Sequence, residues 1–217
     1  MDRILPLLQL TYSVGTLAEN GFPKGAFVLG GKYVVATRDR PVSINFLGAQ
    51  GYWREVLTAE ERNAGVKPRR FDTPQEAEAA GLATTWQPGK SGEQNDQVPP
   101  KVKRALDVIV LVRWPYEQSH EAPGDDLPVV GYKRHLYVPA KWFLEGSALT
   151  KTYRHLLAPG THGYYRDLGS RIYRLSSEPV KITGGFDLPS PKLKCVGRRQ
   201  LKDTLALYGE IEKSARS

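Results

Sequence analysis

The stretch Leu106-Asp107-Val108-Ile109-Val110-Leu111-Val112 is the most apolar run in the chain. Its short length and its β-branched residues favour a buried strand over a helix. Arg113, Trp114 and Pro115 follow it, and proline ends a central strand because it has no backbone N–H to donate. The run therefore predicts a central strand around which a β sheet is assembled.

Three more strands are predicted upstream of this run. Residues 26–29 and 32–36 are rich in β-branched and aromatic side chains, and the pair Gly30-Gly31 separates them. Residues 42–46 alternate apolar and polar side chains, which is typical of a half-buried strand. The polar residues 37–40 predict a hairpin turn between the second and third of these strands.

Downstream, the pattern predicts strands at residues 132–138, 172–176, 180–182 and 193–196. Pro139 is expected to open a helix over residues 140–157, since proline suits a first helical turn. Residues 199–215 carry apolar side chains at helical spacing. They predict an amphipathic helix within a C-terminal segment, 198–217.

Residues 50–103 have a different character and predict a partly helical insertion between strands. Thr58 with Glu61, and Thr73 with Glu76, are spaced as capping boxes. Pro74 follows Thr73 at a first helical position. Residues 88–100 are polar and contain several prolines, which indicates a loop.

These elements predict a mainly β (α+β) fold made by one domain over residues 1–217. The order of strands and helix suits an OB-like antiparallel barrel with the insertion 50–103 and a C-terminal helix. OB-folds bind oligonucleotides on an open face. A split α+β sheet satisfies the same order of elements.

The positive charge of the chain is concentrated in its second half. The 217 residues have 31 Lys and Arg against 23 Asp and Glu, a formal net charge of +8. Residues 1–100 hold 11 of each sign, so residues 101–217, with 20 basic and 12 acidic side chains, supply the whole +8. Such an asymmetry indicates a polyanionic partner.

The composition also bears on compartment and membrane. No run of about 18 apolar residues occurs, so no membrane span and no membrane partner are predicted. The single cysteine, Cys195, excludes an internal disulfide framework. A reducing, cytoplasmic compartment in a bacterial or an infected host cell is expected.

No catalytic constellation, metal site or cofactor site is predicted from the sequence. The four histidines lack ligand spacing, and no His-Glu-x-x-His motif occurs. Asp125 and Asp126 lie in a Pro-Gly-Asp-Asp turn, where aspartate is common for backbone reasons. Asp107 has no evident acidic partner. The chain is therefore expected not to be an enzyme.

Basic side chains recur beside aromatic ones, which is the mixture that single-stranded nucleic acid requires. Arginine and lysine attract phosphates through counterion release, and aromatic rings stack unpaired bases for about 1–3 kcal/mol each. The residues expected to contact phosphates are Lys32, Arg54, Arg113, Arg166, Arg171 and Arg174, and those expected to stack bases are Trp53, Trp114, Tyr164, Tyr165 and Tyr173.

The segment Phe71-Asp72-Thr73-Pro74-Gln75-Glu76-Ala77 opens a helix in the insertion, between a barrel-like first half and a basic, aromatic second half. In this layout the chain loosely resembles the single-stranded-DNA-binding (OB-fold) accessory proteins of bacteriophages. The resemblance implies a role in DNA metabolism and carries over no catalytic residue.

The sequence thus predicts a protein that binds single-stranded DNA with little sequence preference, in replication or recombination, and that contacts proteins of those processes. Two alternatives stay open. One is a structural or interaction protein whose basic surface docks on an acidic protein. The other is a metal-dependent nuclease that uses Asp107, Asp125 or Asp126.

Overall fold

A computed structural model describes residues 5–88, 97–115, 123–156, 170–181 and 185–216 of the chain. Within these residues, the strands β1 to β12 are Leu7–Leu10, Phe27–Leu29, Tyr33–Ala36, Val42–Glu55, Arg70–Phe71, Gln87–Pro88, Gln97–Val98, Val102–Arg113, Val130–Tyr132, His135–Glu145, Arg171–Lys181 and Asp187–Arg198. The helices α1 to α5 are Thr16–Glu19, Ala59–Asn63, Pro74–Ala79, Gly146–Leu156 and Leu201–Arg216. Strand residues outnumber helical ones, so the mainly β prediction is confirmed.

Ten strands form one sheet in the order β12-β11-β4-β8-β10-β1-β2-β3, with β5 added to β4 and β9 added to β10. The apolar run Leu106–Val112 lies in β8, between β4 and β10, which confirms it as a central strand. Strand β1 pairs parallel to β10, whereas β2 pairs antiparallel with both β1 and β3. Strands β6 and β7 form a separate two-stranded sheet.

The predicted hairpin between residues 32–36 and 42–46 is wrong. A turn does form, since the Thr37 amide donates to the Arg40 carbonyl at 2.9 Å. However, β3 is the end strand of the sheet and pairs with β2, whereas β4 lies between β11 and β8. A turn sets only the direction of the chain, and the long, apolar β4 is buried better in the middle of the sheet.

The predicted helix over residues 140–157 is wrong in its first part. Residues 140–145 belong to β10, and the helix α4 begins only at Gly146, which has a φ of +56°. Val138, Ala140, Trp142 and Leu144 are all buried, and this period of two is that of a strand. Pro139 misled the prediction because it lies inside β10 although it has no backbone N–H to donate to a neighbouring strand.

Contacts within the chain separate two compact units. Unit 1 contains residues 1–49, 107–143 and 150–217, and unit 2 contains residues 50–106 and 144–149. Unit 2 includes the segment 50–103 that was predicted to be an insertion. Helices α2 and α3 begin as predicted, since the side chains of Thr58 and Thr73 accept hydrogen bonds from the amides of Glu61 and Glu76, each at 3.2 Å.

The core of unit 1 is mainly aliphatic with several aromatic side chains, and the C-terminal helix packs against it. Phe27 packs edge-on against Trp142 with ring centroids 5.7 Å apart. The predicted C-terminal helix forms. Leu207 of α5 is buried in a cluster with Leu111 and Tyr137, whereas Leu205, which the helical spacing placed on the apolar face, is 61% exposed. The sheet is curled, so that Lys24, just before β2, donates to the carbonyl of Asp187 in β12 at 2.8 Å.

Candidate nucleic-acid interface

A basic cleft of about 680 Å³ opens on unit 1. Four pieces of the chain form it: the start of β4, the end of β8, the turn between β9 and β10, and the first part of β11. We call it the arginine cleft, and its lining residues are Pro41, Val42, Ser43, Arg113, Trp114, Pro115, Arg134, His135, Leu136 and Arg174.

Strand pairing brings these pieces together. Arg174 of β11 lies opposite Ser43 of β4 in the antiparallel register. The Trp114 amide, just after β8, donates to the Leu136 carbonyl in β10 at 2.8 Å. Since both links are backbone pairings, the lining side chains are held by the sheet rather than by a long loop.

The described lining of the arginine cleft is positively charged. Three arginines and one histidine contribute to it, and no carboxylate does. Arg113 is half-buried, while Arg134 and Arg174 are exposed. Within the described residues, none of the three arginines forms an ion pair. Like charges that converge in a concave surface raise the local concentration of anions, so the cleft is suited to hold phosphates.

The turn that presents Arg134 is anchored from outside the sheet. His135 pairs with Tyr132, so Lys133 and Arg134 form a two-residue hairpin turn. Lys133 has a φ of +54°, a left-handed conformation that β-hairpin turns of this length require. The Tyr132 hydroxyl donates to Asp203 of α5 at 3.1 Å, and Lys133 Nζ lies 3.0 Å from the same oxygen.

This contact shifts the pKa values of both partners. The hydrogen bond with Lys133 is the main cause that lowers the pKa of the Asp203 carboxyl. The same bond raises the pKa of the Lys133 ammonium. Both groups are therefore charged at neutral pH, and the C-terminal helix holds the hairpin tip in place.

Two of the cations predicted from the sequence to contact phosphates form ion pairs and do not line the arginine cleft. Lys32 Nζ lies 3.0 Å from Asp126, and Arg54 Nη1 lies 3.0 Å from Glu145. The hydrogen bond from Lys32, followed by that from Tyr33, lowers the pKa of the Asp126 carboxyl. A phosphate has to compete with these carboxylates, so both residues are poorer candidates than Arg113 and Arg174.

Two predicted stacking residues, Trp114 and Tyr173, are buried in the core. Trp114 is 5% exposed and packs edge-on against Tyr33 with centroids 5.4 Å apart. Tyr173 is 1% exposed and packs in the same manner against Phe46 at 5.1 Å. With so little exposed surface both rings are poor platforms for a base, although Trp114 lines the arginine cleft.

Arg171 is also buried rather than at the surface. It is 6% exposed, and its carbonyl accepts a hydrogen bond of 2.6 Å from the Asn45 side chain. Alternation along β11 places Arg171 and Tyr173 on the inner face and Arg174 on the outer face. Burial makes Arg171 a poor candidate for a phosphate contact. Alternation identifies the face that it shares with Tyr173 but not which face of β11 is the inner one.

Trp53 is half-buried and lies opposite Phe71 in the β4–β5 pairing of unit 2. The predicted residues Tyr164, Tyr165 and Arg166 lie outside the described residues. Arg134 and His135 line the arginine cleft but were missed. The basic run Lys133-Arg134-His135 is visible in the sequence, yet only the hairpin register places Arg134 beside the end of β8.

Two of the three carboxylates proposed for a nuclease, Asp107 and Asp126, are paired with lysines. Asp107 lies 2.6 Å from Lys141 Nζ, and Asp126 is bound by Lys32 and Tyr33. Among the described residues, no three His, Cys, Asp or Glu side chains come together as a metal site would require. Separate ion pairs of this kind do not form the paired carboxylates that hold two metals.

Comparison with known proteins yields no relative: no family model, no curated protein and no solved structure matches the chain. None of the helices in the described ranges has the length and apolar character needed to cross a membrane.

Proposed function

We propose that the protein binds single-stranded DNA with little sequence preference and holds its phosphate backbone in the arginine cleft. The observation that supports this is the convergence of Arg113, Arg134 and Arg174 without a carboxylate among the described lining residues. Several other cations, such as Lys32, Arg54 and Lys141, are each paired with a carboxylate.

The size of the cleft supports a single strand as the ligand. A volume of about 680 Å³ is in the range of pockets that enclose a small molecule, and one or two nucleotides have that size. Contacts from arginine to phosphate carry no sequence information, which agrees with binding that tolerates any sequence. In this proposal, the sheet of unit 1 acts as an OB-like platform for the phosphate backbone. Base stacking by Trp53, Tyr164 and Tyr165 stays a prediction from the sequence.

The proposed role is to protect or present single strands in replication or recombination, in a cytoplasmic compartment and without catalysis. Proteins of those processes are the proposed partners. This role follows from the proposed ligand and from the resemblance to phage accessory proteins.

The test is a fluorescence-anisotropy titration of a labelled single strand and the matching duplex at several salt concentrations, with and without magnesium. We expect tighter binding of the single strand, with an affinity that falls as salt rises. Arg113→Gln and Arg174→Gln should each flatten the slope of log K against log salt by about 0.7, the contribution of one phosphate contact on a single strand.

Lys32→Gln is the matched control, because it removes the same charge from a side chain that Asp126 already neutralises. It should leave the salt slope unchanged. Wild-type binding by both arginine variants would overturn the assignment of the cleft. If the protein binds no DNA at low salt, a basic surface for an acidic protein partner is the better function, and magnesium-dependent loss of the DNA would identify a nuclease.

A further inference from the structure

Two like charges face each other across the last pair of strands. Arg174 of β11 lies directly opposite Lys194 of β12 in the antiparallel register. Both side chains are exposed, and residues directly opposite in a sheet project from the same face. Repulsion between like charges at such positions lowers the stability of the sheet.

The neighbouring lysine of β12 shows that this repulsion is avoidable. Lys192 lies two residues before Lys194, on the same face of the strand, and its Nζ is 3.5 Å from Glu178 Oε2. Within the described residues, neither Lys194 nor Arg174 forms an ion pair. The strand pair thus balances one lysine with a carboxylate and leaves the Arg174–Lys194 pair unbalanced.

The unbalanced pair is continuous with the arginine cleft. Arg174 both lines the cleft and faces Lys194, so its guanidinium group belongs to both surfaces. Opposite residues in antiparallel strands have Cα atoms about 4.5–5.5 Å apart. Two long cationic side chains at that spacing can donate to the same phosphate.

We propose that Arg174 and Lys194 form a second phosphate site, through which the backbone of a single strand leaves the arginine cleft and crosses β11 and β12. This inference rests on the proposed function, since it extends the path of the same ligand. A bound phosphodiester between the two side chains replaces their repulsion with two charge-assisted hydrogen bonds.

The test uses Lys194→Gln, with Lys192→Gln as the matched control on the same face of the same strand. Affinity is measured by anisotropy with single strands of about 4 and about 12 nucleotides, two lengths within the site sizes of about 4–16 nucleotides found for OB folds. Thermal unfolding is measured without DNA at low and high salt. Arg113→Gln, which changes the arginine cleft but not the Arg174–Lys194 pair, is titrated with the same two DNA lengths to test the cleft by itself.

We expect Lys194→Gln to weaken binding of the longer strand and to flatten its salt slope by about 0.7, with the shorter strand bound as by the wild type. The same change should raise the melting temperature at low salt and should raise it less at high salt, where the repulsion is screened. Lys192→Gln should not raise the melting temperature, and it should leave both affinities unchanged.

Unchanged binding of the longer strand by Lys194→Gln overturns the second site, even if the melting temperature rises. If Arg113→Gln still weakens binding of both DNA lengths in that case, the proposed function stands and only the second phosphate site is refuted. When Arg113→Gln leaves both strands bound as tightly as before, the proposed function itself fails. Equal losses of affinity for the longer DNA strand in Lys192→Gln and Lys194→Gln would also overturn the site, because they would indicate a general effect of removing positive charge.

Discussion

Lys133 Nζ lies 3.0 Å from Asp203 Oδ1, and this ion pair attaches the tip of the β9–β10 hairpin to the first turn of α5. The turn has a left-handed residue at Lys133, a conformation that an L-residue adopts only when its surroundings hold it. Because the next residue, Arg134, lines the arginine cleft, the C-terminal helix takes part in positioning the proposed binding surface.

Asp203→Ala should therefore lower both the melting temperature and the affinity for single-stranded DNA. The change removes the acceptor of Tyr132 and Lys133, so the hairpin tip loses its anchor. Glu210→Ala is the control, because it removes the same charge from the same helix but breaks only the pair with Lys213. Wild-type affinity of Asp203→Ala in an anisotropy titration would contradict the anchoring role.

Acid should weaken the contact between Glu55 and Arg69 in unit 2. Arg69 Nε and Nη2 donate to the two oxygens of Glu55 at 3.0 and 2.9 Å, and this bonding lowers the pKa of the Glu55 carboxyl. A carboxyl whose pKa is lower in the folded state contributes stability above its unfolded pKa, about 4.3. That contribution is lost as the pH falls through the folded pKa.

Glu55→Gln should consequently lower the melting temperature at pH 7 by roughly 2–4 °C, and the difference from the wild type should shrink as the pH falls below the unfolded pKa, about 4.3. Thermal unfolding followed by circular dichroism between pH 7 and pH 3 measures this. Glu60→Gln, at an exposed position outside the pair, is the control and should parallel the wild type. A constant difference between Glu55→Gln and the wild type at every pH would show that the pair does not titrate as described.

Gly124→Ala should destabilise unit 1. A Cβ atom at this position would collide with the Tyr33 hydroxyl and would lie 2.5 Å from Asp126 Oδ1. Tyr33 cannot withdraw freely because it packs against Trp114. We expect a lower melting temperature and a shifted tryptophan emission. Gly131→Ala is the matched control, since nothing lies within 4 Å of its added Cβ, and equal melting temperatures for the two variants would refute the clash.

Truncation of Trp114 should lower the free energy of unfolding far more than truncation of Trp86. Trp114 is 5% exposed, whereas Trp86 is 60% exposed. Trp114→Ala should lower the free energy of unfolding by about 3–5 kcal/mol, as removal of a large buried side chain does. Trp86→Ala should change it by less than about 0.5 kcal/mol. Urea denaturation measures both, and a mild effect of Trp114→Ala would argue against its place in the core.

The elements predicted correctly are those with a local cause. The caps at Thr58 and Thr73 act within four residues, and the strand character of Leu106–Val112 and the helical pattern of α5 can be read from neighbouring side chains. The wrong predictions concern partners. The predicted hairpin between β3 and β4 was wrong because β4 pairs with β8 and β11 instead. The predicted helix at residues 140–145 was wrong because these residues continue β10 within the sheet.

The candidate site also has features that depend on local sequence and features that depend on distant partners. The sequence by itself determined that positive charge gathers in the second half of the chain, and it singled out Arg113 and Arg174. Only the tertiary structure decided which cations remain without a carboxylate, because Asp126 is 94 residues from Lys32 and Glu145 is 91 residues from Arg54. Likewise, alternation placed Arg171 and Tyr173 on one face of β11, but the packing of the sheet made that face the inner one. Charge and periodicity are properties of the chain, whereas pairing and burial arise only when distant segments meet.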